Sequence, residues 1–325
     1  MKNSDHGGDA LANDSSDRFP HQPVLYQEVL DALAPTPGSV YLDGTLGAGG
    51  HAFGILTESA PDGRLLGLDV DPEALAIARQ RLFPFRDRTV VQQASYRQAP
   101  EILKELGWRP VHGILLDLGV SSMQIDRPER GFSFMAEGPL DMRFNRESGL
   151  SAGDLVNTLS EPEIADILWK FGEERYSRRI ARAIVKSRPI RSTLALAKVV
   201  EEAVPGYSGH IHPATRTFQG LRIATNQELE TVAAALPDLM GTLAPGGRMA
   251  VISFHSLEDR IVKHFFRRES KDCICPPEQP ICTCEHVATL NVITKKPVMA
   301  SKEEVQQNPR ASSARLRVAE KKTEA

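Results

Sequence analysis

No apolar run in the 325 residues approaches the roughly 18 that a membrane span needs, and polar, acidic, glycine-bearing residues 1–18 contain no hydrophobic signal region. These absences predict a cytoplasmic protein with a disordered leader over residues 1–18 and no membrane partner. Excess charge of one sign is lacking too: the formal net charge is only −3, so no global field directs the chain to a polyanion. Internal repeats are missing, as are low-complexity tracts outside the polar termini, which leaves an ordinary globular chain. Its hydrophobic content of 41% suffices for a core, and its length fits two domains or one domain with an insertion. Cysteine is scarce, with four residues all confined to Cys273-x-Cys275 and Cys282-x-Cys284.

The most informative stretch is Val40-Tyr41-Leu42-Asp43-Gly44-Thr45-Leu46-Gly47-Ala48-Gly49-Gly50-His51, which reads as a buried strand ending in an acid and a glycine-rich turn. Glycines there let the backbone turn sharply and let a ligand approach the main chain. Arg64-Leu65-Leu66-Gly67-Leu68-Asp69 repeats the pattern of an apolar strand closed by a carboxylate, and Asp69 follows Gly49 at the spacing of about 20 residues that separates a phosphate or sugar turn from its ribose-binding acid. A ribose-bearing cofactor is implied. Gly47-Ala48-Gly49-Gly50-His51-Ala52 also satisfies the dinucleotide fingerprint, but a carboxylate at Asp43 repels pyrophosphate and suits the sulfonium and amino group of S-adenosylmethionine.

Strands are expected at residues 40–43, 65–69, 89–91 and 111–117, alternating with helices, one of them capped by Asp71 with Pro72 at its first position. This alternation predicts a parallel doubly wound sheet with Asp43, Asp69 and Asp117 along its carboxyl edge. Residues 151–204 read as helices alone. A helix from Asn226 to Leu243 and a strand over residues 248–254 then resume the sheet. The basic residues of 170–191 put Arg175, Arg179, Arg182 and Lys186 on one helix face, open to two readings: a solvated surface or a grip on phosphate.

Asp43-Gly44-Thr45, Gly47-x-Gly49-Gly50-His51, Leu116-Asp117-Leu118-Gly119-Val120-Ser121-Ser122, Arg130-Gly131-Phe132-Ser133-Phe134, Gly138-Pro139-Leu140-Asp141-Met142-Arg143, His212-Pro213-Ala214-Thr215-Arg216-Thr217-Phe218-Gln219 and Ile252-Ser253-Phe254-His255-Ser256-Leu257-Glu258-Asp259-Arg260 together resemble one family, ribosomal RNA small subunit methyltransferase H, also described as MraW. The likeness runs in order from about His21 to Arg317. It implies a class I S-adenosylmethionine methyltransferase, a Rossmann-like α/β domain over 19–124 and 215–325 with an all-helical domain inserted at 125–214. It implies methylation of the exocyclic N4 of a decoding-region cytidine in 16S ribosomal RNA, within the small ribosomal subunit. Carried over by position, Gly49, Gly50 and His51 form the donor turn, Asp69 holds the ribose, Tyr96 lies near the adenine, and Asp117 and Gln124 complete the cofactor contacts. His51 opens a helix, where backbone donors matter more than the imidazole, so it is read as a positioning residue.

Candidate substrate contacts are Arg143, Arg179, Arg182, Arg216 and His255, because a base that must leave its stack needs the RNA held on both sides of the pocket. A structural ion pair for Arg143 and a satisfied buried ring for His255 are equally open. No residue is assigned to activate the amine and no metal ligand is assigned. The four cysteines are left between reduced thiols and a zinc tetrathiolate, with a disulfide disfavoured in a reducing cytosol and the C-x-C spacing tighter than the usual C-x2–4-C. A nicotinamide oxidoreductase and a non-catalytic RNA-binding factor remain as competing readings; the first leaves Asp43 and the basic cluster unexplained.

Overall fold

A computed structural model describes residues 23–205, 212–276, 278–279 and 281–323. The leader expected at 1–18 lies outside them. β1 (Val40–Asp43), β2 (Arg64–Asp69), β3 (Thr89–Gln93) and β4 (Val111–Asp117) form where the apolar runs predict, and β5 (Leu243–Ser253) starts earlier than expected. Three strands that the periodicity did not mark follow: β6 (Leu290–Val292), β7 (Val298–Met299) and β8 (Arg315–Lys321). All join one sheet in the order β3-β2-β1-β4-β5-β8-β6, with β7 also paired to β8. β1 to β5 are mutually parallel, and β8 runs antiparallel to β5.

Alternate residues of each central strand enter opposite cores, as the two-residue period of a strand requires. Leu42, Leu66, Ile114, Leu116 and Val251 face one core, while Tyr41, Leu65, Leu115, Ala250 and Ile252 face the other. A sheet covered on both faces has its ligand edge where the strand order reverses, here beside β1 and β4, and Asp43, Asp69 and Asp117 all end strands at that edge.

β8 was hidden in the sequence because Arg317, a charged residue, is buried in it. Its guanidinium is held by Asp259 through two hydrogen bonds of 2.6 and 3.1 Å, which neutralises the charge within the packed layer.

The helical insertion encloses a third core. Helices Ala152–Thr158, Glu161–Lys170, Ser177–Lys186, Thr193–Ala203 and Ala214–Asn226 pack around Val156, Leu168, Ile180, Ile184, Leu196 and Val200. Ala214, Phe218 and Leu221 belong to the same core, so helical packing continues past residue 214. Gln227, at φ 51°, separates the helix Ala214–Asn226 from the next one, Glu228–Thr242; a single helix starting at Asn226 does not form. Arg175 likewise precedes the helix Ser177–Lys186 and stacks over Tyr176 at 4.8 Å instead of extending the basic face. No helix among the described residues is long and apolar enough to cross a membrane.

Candidate active site

The turn after β1 is built by main-chain geometry. Gly47 and Gly49 take φ values of 52° and 77°, a region that side-chain-bearing residues enter at a cost. At Gly44 a Cβ would meet Leu116 Cδ2 at 2.6 Å and Tyr96 Cβ at 2.8 Å, so only glycine fits. The Asp69 carboxylate fixes this turn: Oδ2 accepts the Gly47 N–H at 2.8 Å, and Oδ1 accepts the Asp71 N–H at 2.9 Å. Desolvation raises the Asp69 pKa, and those backbone donors oppose the rise. Asp71 accepts the Glu73 N–H at 3.0 Å and caps the helix Pro72–Arg81, as its position predicts.

Asp117, at the end of β4, lines a cavity that Gly47 and Asp69 also line. Its Oδ1 has no hydrogen-bond partner among the described residues, and burial, with the charges of Asp43 and Glu258, pushes its carboxyl up to about 8. Asp43 differs from the expectation: it is 1% exposed, does not line the cavity and accepts the Thr45 N–H at 3.2 Å. Burial pushes it up to about 7, so it carries much less than a full negative charge at neutral pH, and direct repulsion of a pyrophosphate by Asp43 is not the discriminating feature. His51 sits in the first turn of the helix Gly50–Glu58, buried and stacked on Tyr26 at 6.0 Å between ring centroids. Burial lowers its pKa to about 4, so the 3.7 Å approach of Nε2 to Asp117 joins a neutral ring to a carboxyl and is no ion pair at neutral pH.

The opposite wall is braced by a buried polar chain. Gln124 receives the Ser121 N–H at Oε1 (3.0 Å) and donates from Nε2 to Asp71 Oδ2 (2.8 Å), while Arg130 reaches the same Asp71 oxygen at 2.8 Å. Gln124 thus borders the cavity while its amide positions the loop after β4. Tyr96 also lines the cavity, and burial beside Glu228 and Glu258 raises its phenol pKa.

Sequence reasoning missed Arg222, Glu228 and Glu258. Arg222 pairs with both carboxylate oxygens of Glu228 at 2.9 Å, and Glu258 accepts the Phe254 N–H at 3.0 Å. The only local signal was at Glu258, three residues after His255, the spacing at which a helix-opening residue and an acid cap one another. His255 does cap the helix Ser256–Glu269, with Nδ1 accepting the Glu258 N–H at 3.4 Å and Nε2 3.2 Å from Glu258 Oε1.

The candidate substrate residues separate spatially. Arg143 stands at the cavity rim with its guanidinium on Asp141 (2.7 and 3.1 Å) and on the Gly149 carbonyl (3.2 Å). His255 lines the cavity, whereas Arg179, Arg182 and Arg216 do not. Arg179 and Arg182 are exposed on the insertion, Arg182 lying 3.4 Å from Glu161, and Arg216 donates to the Glu173 carbonyl at 3.3 Å.

A cavity of about 1850 Å³ lies above the sheet edge. Its residues fit S-adenosylmethionine: a glycine turn for close main-chain approach, an acid at Asp69 that ends β2 beside that turn, and at Asp117 a cavity-lining carboxyl whose Oδ1 has no hydrogen-bond partner among the described residues. A dinucleotide fits less well, because Asp69 already holds the Gly47 N–H that a pyrophosphate would use. The strand order, the antiparallel β8 and this turn-and-acid pair define a class I S-adenosylmethionine-dependent methyltransferase with a helical insertion.

Comparison with known proteins gives the particular family. The chain belongs to the MraW methylase family, whose model matches residues 18–322. It is 50% identical over 303 residues to the ribosomal RNA small subunit methyltransferase H of Dehalococcoides mccartyi, covering 93% of this chain and 87% of that protein. The proteins of the same name from Heliobacterium mobile and Geobacter sp. strain M21 are 52% and 53% identical, each covering 93% of this chain and 99% of the relative. A solved putative rRNA-methylase from Clostridium thermocellum superposes with a TM-score of 0.44 at 12% identity, over 94% of this chain and 100% of that one.

Proposed function

We propose that the protein transfers a methyl group from S-adenosylmethionine to the exocyclic N4 of a decoding-region cytidine in 16S ribosomal RNA, acting on the small ribosomal subunit in the cytoplasm. Family membership and half-identical relatives named for small-subunit rRNA methylation support the substrate class. The observation that carries the chemistry is the pairing of the Asp69-braced glycine turn with the Asp117 carboxyl in one cavity.

The donor supplies an electrophilic methyl on a sulfonium, transferred in line to an amine. Gly50 and His51 hold it through the main chain, while Gly49, which does not line the cavity and whose N–H donates to the Leu46 carbonyl at 2.8 Å, shapes the turn; Asp69 takes the ribose hydroxyls, Tyr96 borders the adenine, and Asp117 with Gln124 closes the remaining side. His51 stays neutral and supports the turn without moving a proton. Because in-line displacement depends on alignment, these residues accelerate the reaction mainly by fixing positions. The cytosine amine is a weak nucleophile, and a carboxyl oxygen accepting one of its N–H bonds favours the attacking geometry. The acidic wall of Asp117, Glu228 and Glu258 supplies acceptors.

Substrate RNA engages the exposed Arg179, Arg182 and Arg216 through phosphate. Arg143 offers its two remaining N–H groups at the rim, and His255 borders the flipped base. The methyltransferase and helical units divide near residues 124 and 214, with the helix Ala214–Asn226 shared between them.

Small subunits from cells lacking the protein, incubated with pure protein and S-adenosylmethionine, should gain N4-methylcytidine by nucleoside mass spectrometry. Methyl on the ring carbon, on a ribose oxygen, or absent from the RNA would reject the proposal.

A further inference from the structure

The four cysteines lie away from the cavity, in the loop between the helix Ser256–Glu269 and β6, and none of them lines the active site. The two tight C-x-C pairs fold onto each other. All four Sγ atoms lie within 4.8 Å of one another, with Cys275–Cys282, Cys282–Cys284 and Cys284–Cys273 separations of 4.0, 3.6 and 3.9 Å. Four sulfurs about 2.3 Å from a tetrahedral zinc are about 3.8 Å apart, so the cluster already has the size of a tetrathiolate.

Apolar burial does not gather them. Ile274, Ile281 and Val287 in this loop are 46, 73 and 69% exposed. Its ends are pinned by Thr289 N–H to the Glu269 carbonyl (2.8 Å) and Ala288 N–H to Asp272 Oδ1 (3.1 Å), which leaves the middle without a core. The Ile274 N–H points at Cys284 Sγ at 3.4 Å, a donor of the kind that supports a metal-bound thiolate.

We propose that Cys273, Cys275, Cys282 and Cys284 bind one zinc ion, a structural site that staples this loop to the edge of the sheet. Each thiol loses its proton to solvent as its sulfur joins the zinc. Four protein thiolates leave no open position, so the ion takes no part in methyl transfer. The tight spacing within each pair is accommodated because the chain turns back between the pairs, where the Gln279 N–H donates to the Pro276 carbonyl at 3.0 Å.

Full-length untagged protein, purified without chelators, should contain about one zinc per chain by elemental analysis, with its four thiols unreactive toward a disulfide reagent until denaturant and a chelator remove the metal. Cobalt loaded in its place should give the absorption of a tetrahedral tetrathiolate. Cys275→Ser should lose zinc while keeping donor affinity. Reduced protein that takes up no zinc and whose four thiols react freely would overturn the proposal, as would iron as the sole metal or undiminished zinc in Cys275→Ser. The thiol titration uses the unaltered chain and stands even where the variant folds poorly.

Discussion

Asp69 Oδ2 accepts the Gly47 N–H at 2.8 Å, so the acid that ends β2 shapes the glycine turn after β1 while also lining the cavity. One carboxylate therefore braces the turn and borders the cavity, and replacing it disturbs the turn as well as the proposed ribose contact.

Asp69→Ala should weaken S-adenosylmethionine binding by roughly ten- to a hundredfold, the loss of charge-assisted hydrogen bonds of about 1.5 to 3 kcal/mol. Asp69→Asn, which keeps an acceptor for one backbone donor, should fall between the two. Titration calorimetry on folded variants decides this; wild-type affinity in Asp69→Ala would remove Asp69 from the site.

The buried acids predict a pH-dependent stability. Asp117 and Asp43 rise from 3.8 to about 8 and about 7, so the folded protein keeps protons that the unfolded chain has lost. Their contribution is complete below the ordinary carboxylate range and is lost as pH rises through 7 to 8. His51 is shifted down, with the opposite sign, but its effect ends above its ordinary value of 6.5. Urea midpoints of the donor-free protein should therefore fall on going from about pH 6.5 to 8.5, and fall less in Asp117→Asn. Equal slopes for the two proteins would contradict the assignment.

Arg130 and Asp71 form a buried pair at 2.8 Å, with both side chains 3% exposed, and Gln124 shares the same carboxylate. Arg130→Ala leaves Asp71 buried without its cation and should cost about 3 kcal/mol or more in urea unfolding. A loss within the range of an ordinary surface substitution, about 0.5 kcal/mol, would show that solvent compensates.

Reversing Arg179 and Arg182 to Glu should weaken RNA binding and leave donor affinity unchanged. The plot of log affinity against log salt should become shallower by about 0.7 to 0.9 for each phosphate that the protein no longer neutralises. An unaltered slope with unaltered affinity would assign these arginines to solvent alone.

The sequence determined the sheet edge and the donor turn, because both rest on local signals. Apolar runs closed by Asp43, Asp69 and Asp117 mark strands, glycines at 47 and 49 meet positive φ, and Asp71-Pro72 opens a helix by capping geometry. Tertiary structure decided what each acid does. Asp43 and Asp117 look alike at the ends of their strands, yet only Asp117 reaches the cavity, because the turn folds Asp43 under Thr45. It also decided which charges are spent within the protein, Arg317 on Asp259 and Arg130 on Asp71, since partners 58 and 59 residues apart leave no periodic trace. The four thiols divide the same way: their identity is written in twelve positions of sequence, but their closeness comes from one turn that only the folded chain supplies.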